Sequence, residues 1–213
     1  MDIRHGLLAG MILALTACGG GSASTAPTVP VIKAPAVSNL VAFMGDSITY
    51  GWNLANFDSN PTMNLGIPGE ITSKMLARFG DVVAANPGIV VILGGTNDIA
   101  DGQTPEWTIA NLKSMADMAR AAGIKVILCS VMATVGSKVP VPWSDEPAIP
   151  VLNAKILELA RQEGYLYADY YDVMLLPDGT ADPTLLLDGL HPNAAGYTVM
   201  WRVVAPLIAE YLH

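Results

Sequence analysis

Charge is what this chain has least of. Only 14% of its 213 residues are Asp, Glu, Lys or Arg, against roughly 25% in an ordinary soluble domain, so many segments are expected to be covered on both sides. Cations are scarcer still. With 11 Lys and Arg against 19 Asp and Glu the net charge is -8, a balance that repels phosphate backbones and leaves no footprint for nucleic acid. Cysteine is limited to Cys18 and Cys129. Cys129 lies in the apolar run IKVILCS with no charge or histidine beside it to lower its pKa, so a small buried strand residue is expected there, not a nucleophile. Zinc-ligand spacing is missing, and the acidic turns NDIADG and LPDGTADP lack the ligand spacing of an EF-hand loop, so no metal is expected. Beyond the N-terminal segment no run of eighteen apolar residues occurs, which leaves no candidate for a spanning helix.

What is present begins with an export signal. Arg4 stands in a short charged start, and the apolar run from Gly6 to Ala17 ends at Cys18, too short to span a bilayer comfortably. The sequence LTAC, Leu15 to Cys18, resembles a bacterial lipobox, in which the cysteine carries lipid and becomes the new N-terminus. An ordinary secretory signal cut near Ala17 is the other reading. Both export the protein. The resemblance implies a lipoprotein on the outer membrane, attached only through Cys18, which would leave no cysteine pair for an intrachain disulfide. Residues 1–17 then form the signal and 18–37 a Gly, Ser and Pro-rich tether, too poor in large apolar groups to fold alone. As a flexible coil it would hold the domain, residues 38–213, on the order of 25 Å from its anchor. At this length one globular domain is the expectation.

Within that domain short apolar runs alternate with stretches of helical period. LVAFM (Leu40 to Met44), IVVIL (Ile89 to Leu93) and IKVILC (Ile124 to Cys129) are predicted as buried strands, with weaker strands around Met63 and Leu166. Ile71, Met75, Leu76, Phe79 and Val83 share one helical face. A second helix has Thr104 as N-cap, Pro105 in its first position and Gly123 at its end. A third starts near Pro147, turns Leu152, Ile156 and Leu159 inward and stops at Gly164. In the last helix Tyr197, Met200, Trp201, Val204, Leu207, Ile208 and Tyr211 form an apolar stripe. This alternation predicts an α/β fold, a parallel sheet between two helical layers, with ligands bound outside the carboxyl ends of the strands.

That edge collects the reactive side chains. Ser47, in VAFMGDSITYGW, follows the first strand where the chain turns into a helix; it is either a helix cap or a nucleophile. A serine nucleophile needs a base, usually histidine. Of the three histidines, His5 belongs to the signal and His213 is terminal, leaving His191 in DGLHPN. Asp188 precedes it by about one turn, near enough to accept from one ring nitrogen and leave the other for Ser47. Pro192 disfavours helical geometry at His191, and Asn193 caps the final helix. Acyl transfer also needs donors for the developing oxyanion. Gly66 in NLGIPG and Asn97 in LGGTND follow the second and third strands, where each is either a turn residue or such a donor. Asp98 is expected to fix the loop presenting Asn97, and Asp46 to bond nearby backbone N–H groups.

The blocks GDS, a glycine after the second strand, G-x-N-D and D-x-x-H-P, in this order from Gly45 to Pro192, resemble those of the SGNH, or GDSL-type, hydrolases over essentially the whole domain. Ile48 stands where the family name has leucine. The resemblance implies a three-layer α/β/α sandwich with a mainly parallel, flavodoxin-like five-stranded sheet. It also implies a cofactor-free serine esterase. Ser47 would be the nucleophile, His191 the base oriented by Asp188, and the Ser47 N–H, Gly66 N–H and Asn97 the oxyanion hole. The similarity is closest to members that hydrolyse short acyl esters, including acetyl groups on sugars; others are thioesterases or lysophospholipases. Trp143, in the segment after the fourth strand, is a candidate sugar-stacking or acyl-contacting surface. A noncatalytic glycan-binding lipoprotein on the same scaffold is the reading from another class.

Overall fold

The computed structural model describes residues 38–56, 60–135 and 148–212. The expected signal and tether, Cys18 with its expected lipid, and Trp143 lie outside these residues. Five strands, β1 (Val41–Gly45), β2 (Thr62–Gly66), β3 (Ile89–Leu93), β4 (Lys125–Cys129) and β5 (Leu166–Ala168), form one sheet. Its order is β2-β1-β3-β4-β5 with every neighbour parallel. This is the flavodoxin-like order, and its crevice opens between β1 and β3, where the winding reverses.

Alternation along each strand builds two cores. Ala42, Met44, Val90, Ile92, Val126 and Leu128 face helices α2 (Thr72–Ala77), α3 (Gly80–Ala85), α5 (Pro105–Ala121) and α6 (Ala148–Glu163). Their neighbours Val41, Phe43, Val91, Ile127 and Cys129 face α1 (Ser47–Tyr50) and α7 (Ala194–Leu212). Because both faces are covered, β1 and β3 are buried at every residue, which is why they contain no charge. On α7, Met200, Val204 and Ile208 are fully buried while Trp201, Leu207 and Tyr211 pack at its margin. Cys129 is buried and its thiol is pushed up to about 12 by desolvation.

The capping residues do what their chemistry allows. Thr104 accepts from the Trp107 N–H at 3.2 Å with Pro105 at the start of α5, and Asn193 accepts from Ala195 and Gly196 at the start of α7. The expected helix over Ile71 to Val83 is instead two, α2 and α3, broken at Arg78 and Phe79. Gly80 disfavours continuation, and Arg78 is drawn aside to the sheet edge. Its guanidinium donates to the carbonyl oxygens of Leu65 (2.7 Å) and Gly45 (3.3 Å) and pairs with Glu70. The apolar face survives the break through Met75, Phe79 and Val82.

Candidate active site

At the carboxyl end of β1 the chain turns at once into α1. Asp46 is its N-cap, taking the Ile48 N–H on Oδ1 at 2.9 Å. Ser47 is thereby freed from capping: it occupies the first helical position, and its own N–H has no partner among the described residues. α1 is held by Tyr197 of α7, whose hydroxyl donates to the Ile48 carbonyl at 2.8 Å.

The loop before α7 brings the histidine to this serine. Backbone bonds from Leu187 N to His191 O (2.8 Å) and Asn193 N to Leu185 O (2.9 Å) close it. Inside, Asp188 Oδ1 accepts from the Leu190 and His191 N–H groups at 3.0 and 2.9 Å, leaving Oδ2 for the imidazole. His191 Nδ1 lies 2.9 Å from Asp188 Oδ2, and Nε2 lies 3.0 Å from Ser47 Oγ. Those bonds hold the Asp188 carboxyl well below the usual carboxylate range, backbone donation by His191 contributing most. It therefore stays ionised and selects the tautomer with a proton on Nδ1, which makes Nε2 the acceptor for Ser47.

Asn97, on α4 (Thr96–Ala100), stands across the crevice from Ser47's turn. Its amide donates to Glu70 O at 2.9 Å and reaches Asp46 Oδ2 at 3.3 Å. Behind it Asp98 is fully buried and accepts from the Thr72 N–H (3.0 Å), from the Thr72 hydroxyl in a short contact, and from the Thr108 hydroxyl (3.2 Å). Asp98 thus ties α4 to α2 and α5, and its burial raises its pKa. Desolvation also pushes Asp46 up to about 6.

Gly66 is not placed as a donor. Its N–H is taken up by Asn64 Oδ1 at 2.9 Å, and a Cβ there would meet Tyr50 N at 2.1 Å. This glycine serves the approach of α1 to β2. Three residues on, Gly69 offers the alternative. Ile67, Pro68, Gly69 and Glu70 form a turn closed from Glu70 N to Ile67 O at 3.3 Å, with Gly69 at φ 76. Pro and Gly in those places suit a type II turn. Gly69 lines a cleft of about 260 Å³ with Asn97, Lys74 and Asp101, and its N–H has no partner among the described residues. In the sequence, the signal for this position is the Pro68-Gly69 dipeptide of a turn, whereas Gly66 in NLG ends the strand.

Among the described residues no group of three or more His, Cys, Asp or Glu side chains is gathered as a metal site, and no helix is long and apolar enough to cross a membrane.

Residues 43–199 match the family model described as GDSL-like Lipase/Acylhydrolase family. The chain is 30% identical to the esterase TesA of Pseudomonas aeruginosa over 151 residues, 68% of this chain and 70% of that protein. A solved GDSL-like lipase from Bacteroides thetaiotaomicron superposes with a TM-score of 0.72 at 34% identity, covering 81% of this chain and 88% of that one. An acetyl xylan esterase superposes at 0.66 with 21% identity, over 79% of this chain and 98% of that one, a likeness of fold.

Proposed function

The chain belongs to the GDSL-like lipase/acylhydrolase family and is a hydrolase, and on that premise we propose that it cleaves short-chain acyl esters through an acyl-enzyme on Ser47. One observation carries the reading: a continuous line from Asp188 Oδ2 to His191 Nδ1 and from Nε2 to Ser47 Oγ, at 2.9 and 3.0 Å.

As Ser47 Oγ bonds to the acyl carbon, its proton passes to His191 Nε2 and the carbonyl electron pair moves onto oxygen. Collapse of the adduct breaks the bond to the alcohol oxygen, which takes the proton from Nε2. Water then attacks the acyl-serine, giving up a proton to Nε2; collapse of this second adduct breaks the bond to Ser47 Oγ, which takes the proton back from Nε2 as the acid leaves. Asp188 keeps the imidazolium stable during both halves. The oxyanion is assigned to the Ser47 N–H, the Asn97 amide and the Gly69 N–H, in place of the Gly66 expected from sequence. That the Ser47 and Gly69 N–H groups have no partner among the described residues supports this.

For the alcohol, acetylated sugars are the first class to test, since an acetyl xylan esterase shares the fold. Ser47→Ala should abolish hydrolysis of 4-nitrophenyl acetate and of peracetylated xylose, and an alkyl organophosphonate should label Ser47 in the native protein alone. Normal turnover by Ser47→Ala would sink the mechanism. An unlabelled serine with no turnover would favour a glycan binder on the same scaffold.

A further inference from the structure

Asn97 has two amide N–H donors, and neither is idle. One is committed to Glu70 O at 2.9 Å; the amide also reaches Asp46 Oδ2 at 3.3 Å. The first length is that of an ordinary N–H···O bond and the second lies beyond it, so the second N–H is held loosely enough to be shared with a third oxygen. Its holder is the residue immediately before the nucleophile. Asp46 is 1% exposed and is fixed on its other side, where Oδ1 accepts the Ile48 N–H. A buried carboxylate with one oxygen engaged in capping and the other aimed at an oxyanion donor does more than end a strand.

We propose that Asp46 is a positioning residue for acyl transfer: its Oδ2 keeps the second N–H of Asn97 turned toward Ser47 and yields it to the oxygen of the tetrahedral adduct. The inference rests on the reading of Ser47 and Asn97 given above. Asp46 makes no contact with the substrate in this role; it acts through Asn97. The charged and titratable groups that face it are His191 from the loop before α7, Asp98 from α4 and Tyr197 from α7. Its ionisation, with burial lifting it to about 6, makes the hold pH-dependent. The carboxylate grips the N–H at neutral pH, and the neutral acid below that accepts more weakly.

Two variants separate this role from capping. Asp46→Asn keeps the shape and the cap but turns a donor or a weaker acceptor toward Asn97; Asp46→Ser keeps the cap and is too short to reach it. With 4-nitrophenyl acetate, each should lower kcat roughly tenfold or more with little change in KM, against the roughly hundredfold or larger loss typical when an oxyanion donor is removed, expected for Asn97→Ala. Combined with Asn97→Ala, neither should add to the loss, because the group it positions is gone. The ratio of wild-type to Asp46→Asn kcat should shrink as pH falls through about 6. Losses that multiply with that of Asn97→Ala, or wild-type kcat in both variants, would overturn the proposal while leaving Ser47 as nucleophile intact. If Asp46→Asn does not fold by circular dichroism, Asp46→Ser carries the cycle. The Asn97 side-chain amide signals of the wild-type protein supply a check without substitution: they should move with a midpoint near pH 6, and a flat response would count equally against the idea.

Discussion

Asp188 spends one carboxylate oxygen on its own loop and the other on the imidazole, so a single residue both shapes the turn and sets the tautomer. Asp188→Asn separates these tasks. The amide oxygen can still accept from the loop N–H groups, but its NH2 then faces Nδ1 and favours the tautomer whose Nε2 carries a proton and cannot accept from Ser47. With the carboxylate half-exposed, water partly compensates, and kcat for 4-nitrophenyl acetate is expected to fall at least about a hundredfold with KM little changed. A loss shared equally between kcat and stability would show that Asp188 only holds the loop. That pairing was readable from sequence: D-x-x-H within a loop leaves few other places for either side chain to go.

At the scale of elements, α1 sits against β2 closely enough to need a residue without a side chain. Asn64 fastens that contact, donating to Thr49 O at 2.7 Å and Trp52 O at 3.0 Å while accepting the Gly66 N–H. Gly66→Ala would drive its Cβ into backbone, Tyr50 N lying 2.1 Å away, and lift the helix that carries Ser47. Overpacking of this kind costs about 1–3 kcal/mol. Both the urea midpoint and kcat should fall. Gly69→Ala meets open space and, at φ 76, should cost only about 1–2 kcal/mol; a loss of kcat beyond its loss of stability would tie that turn to the oxyanion. A Gly66→Ala protein that melts like the wild type would mean that α1 and β2 leave room for a side chain at this position. Strands and long helices were legible because buried runs such as IVVIL and the caps Thr104 and Asn193 are local signals. The break between α2 and α3 was not, because what draws Arg78 aside is a pair of carbonyls on β1 and β2. Nor was the Gly66 assignment, since whether an N–H is free depends on a neighbouring side chain, Asn64, that periodicity cannot orient.

Among the described residues two carboxyls, Asp46 and Asp98, are buried, and because burial favours their neutral form they shape the response of the whole molecule to pH. Asp46 is raised from 3.8 to about 6 and Asp98 is raised as well, desolvation leading in both. For an acid whose folded pKa exceeds its unfolded value, the unfolded chain binds fewer protons between the two, so stability falls as pH rises through that window. The Asp46 contribution is therefore full below pH 3.8 and lost by pH values above about 6, a swing of about 3 kcal/mol for a shift of this size. Asp188 works the other way: its depressed pKa stabilises the fold above 3.8 and is lost as pH falls further, so stability should peak on the acid side of neutrality. Relief of self-repulsion as the net charge of -8 is titrated pushes in the same direction as Asp46 and must be subtracted. Asp46→Asn does this, since it removes one titration and leaves the remaining charges in place. Between pH 7.5 and 5 the wild-type Tm should rise by several degrees more than that of Asp46→Asn. At pH 7.5 the variant should be the more stable of the two, because the wild type keeps a buried charge beside Ser47. Equal rises in Tm would mean that Asp46 is not held above its ordinary pKa, and that its carboxylate is kept at no cost to the fold.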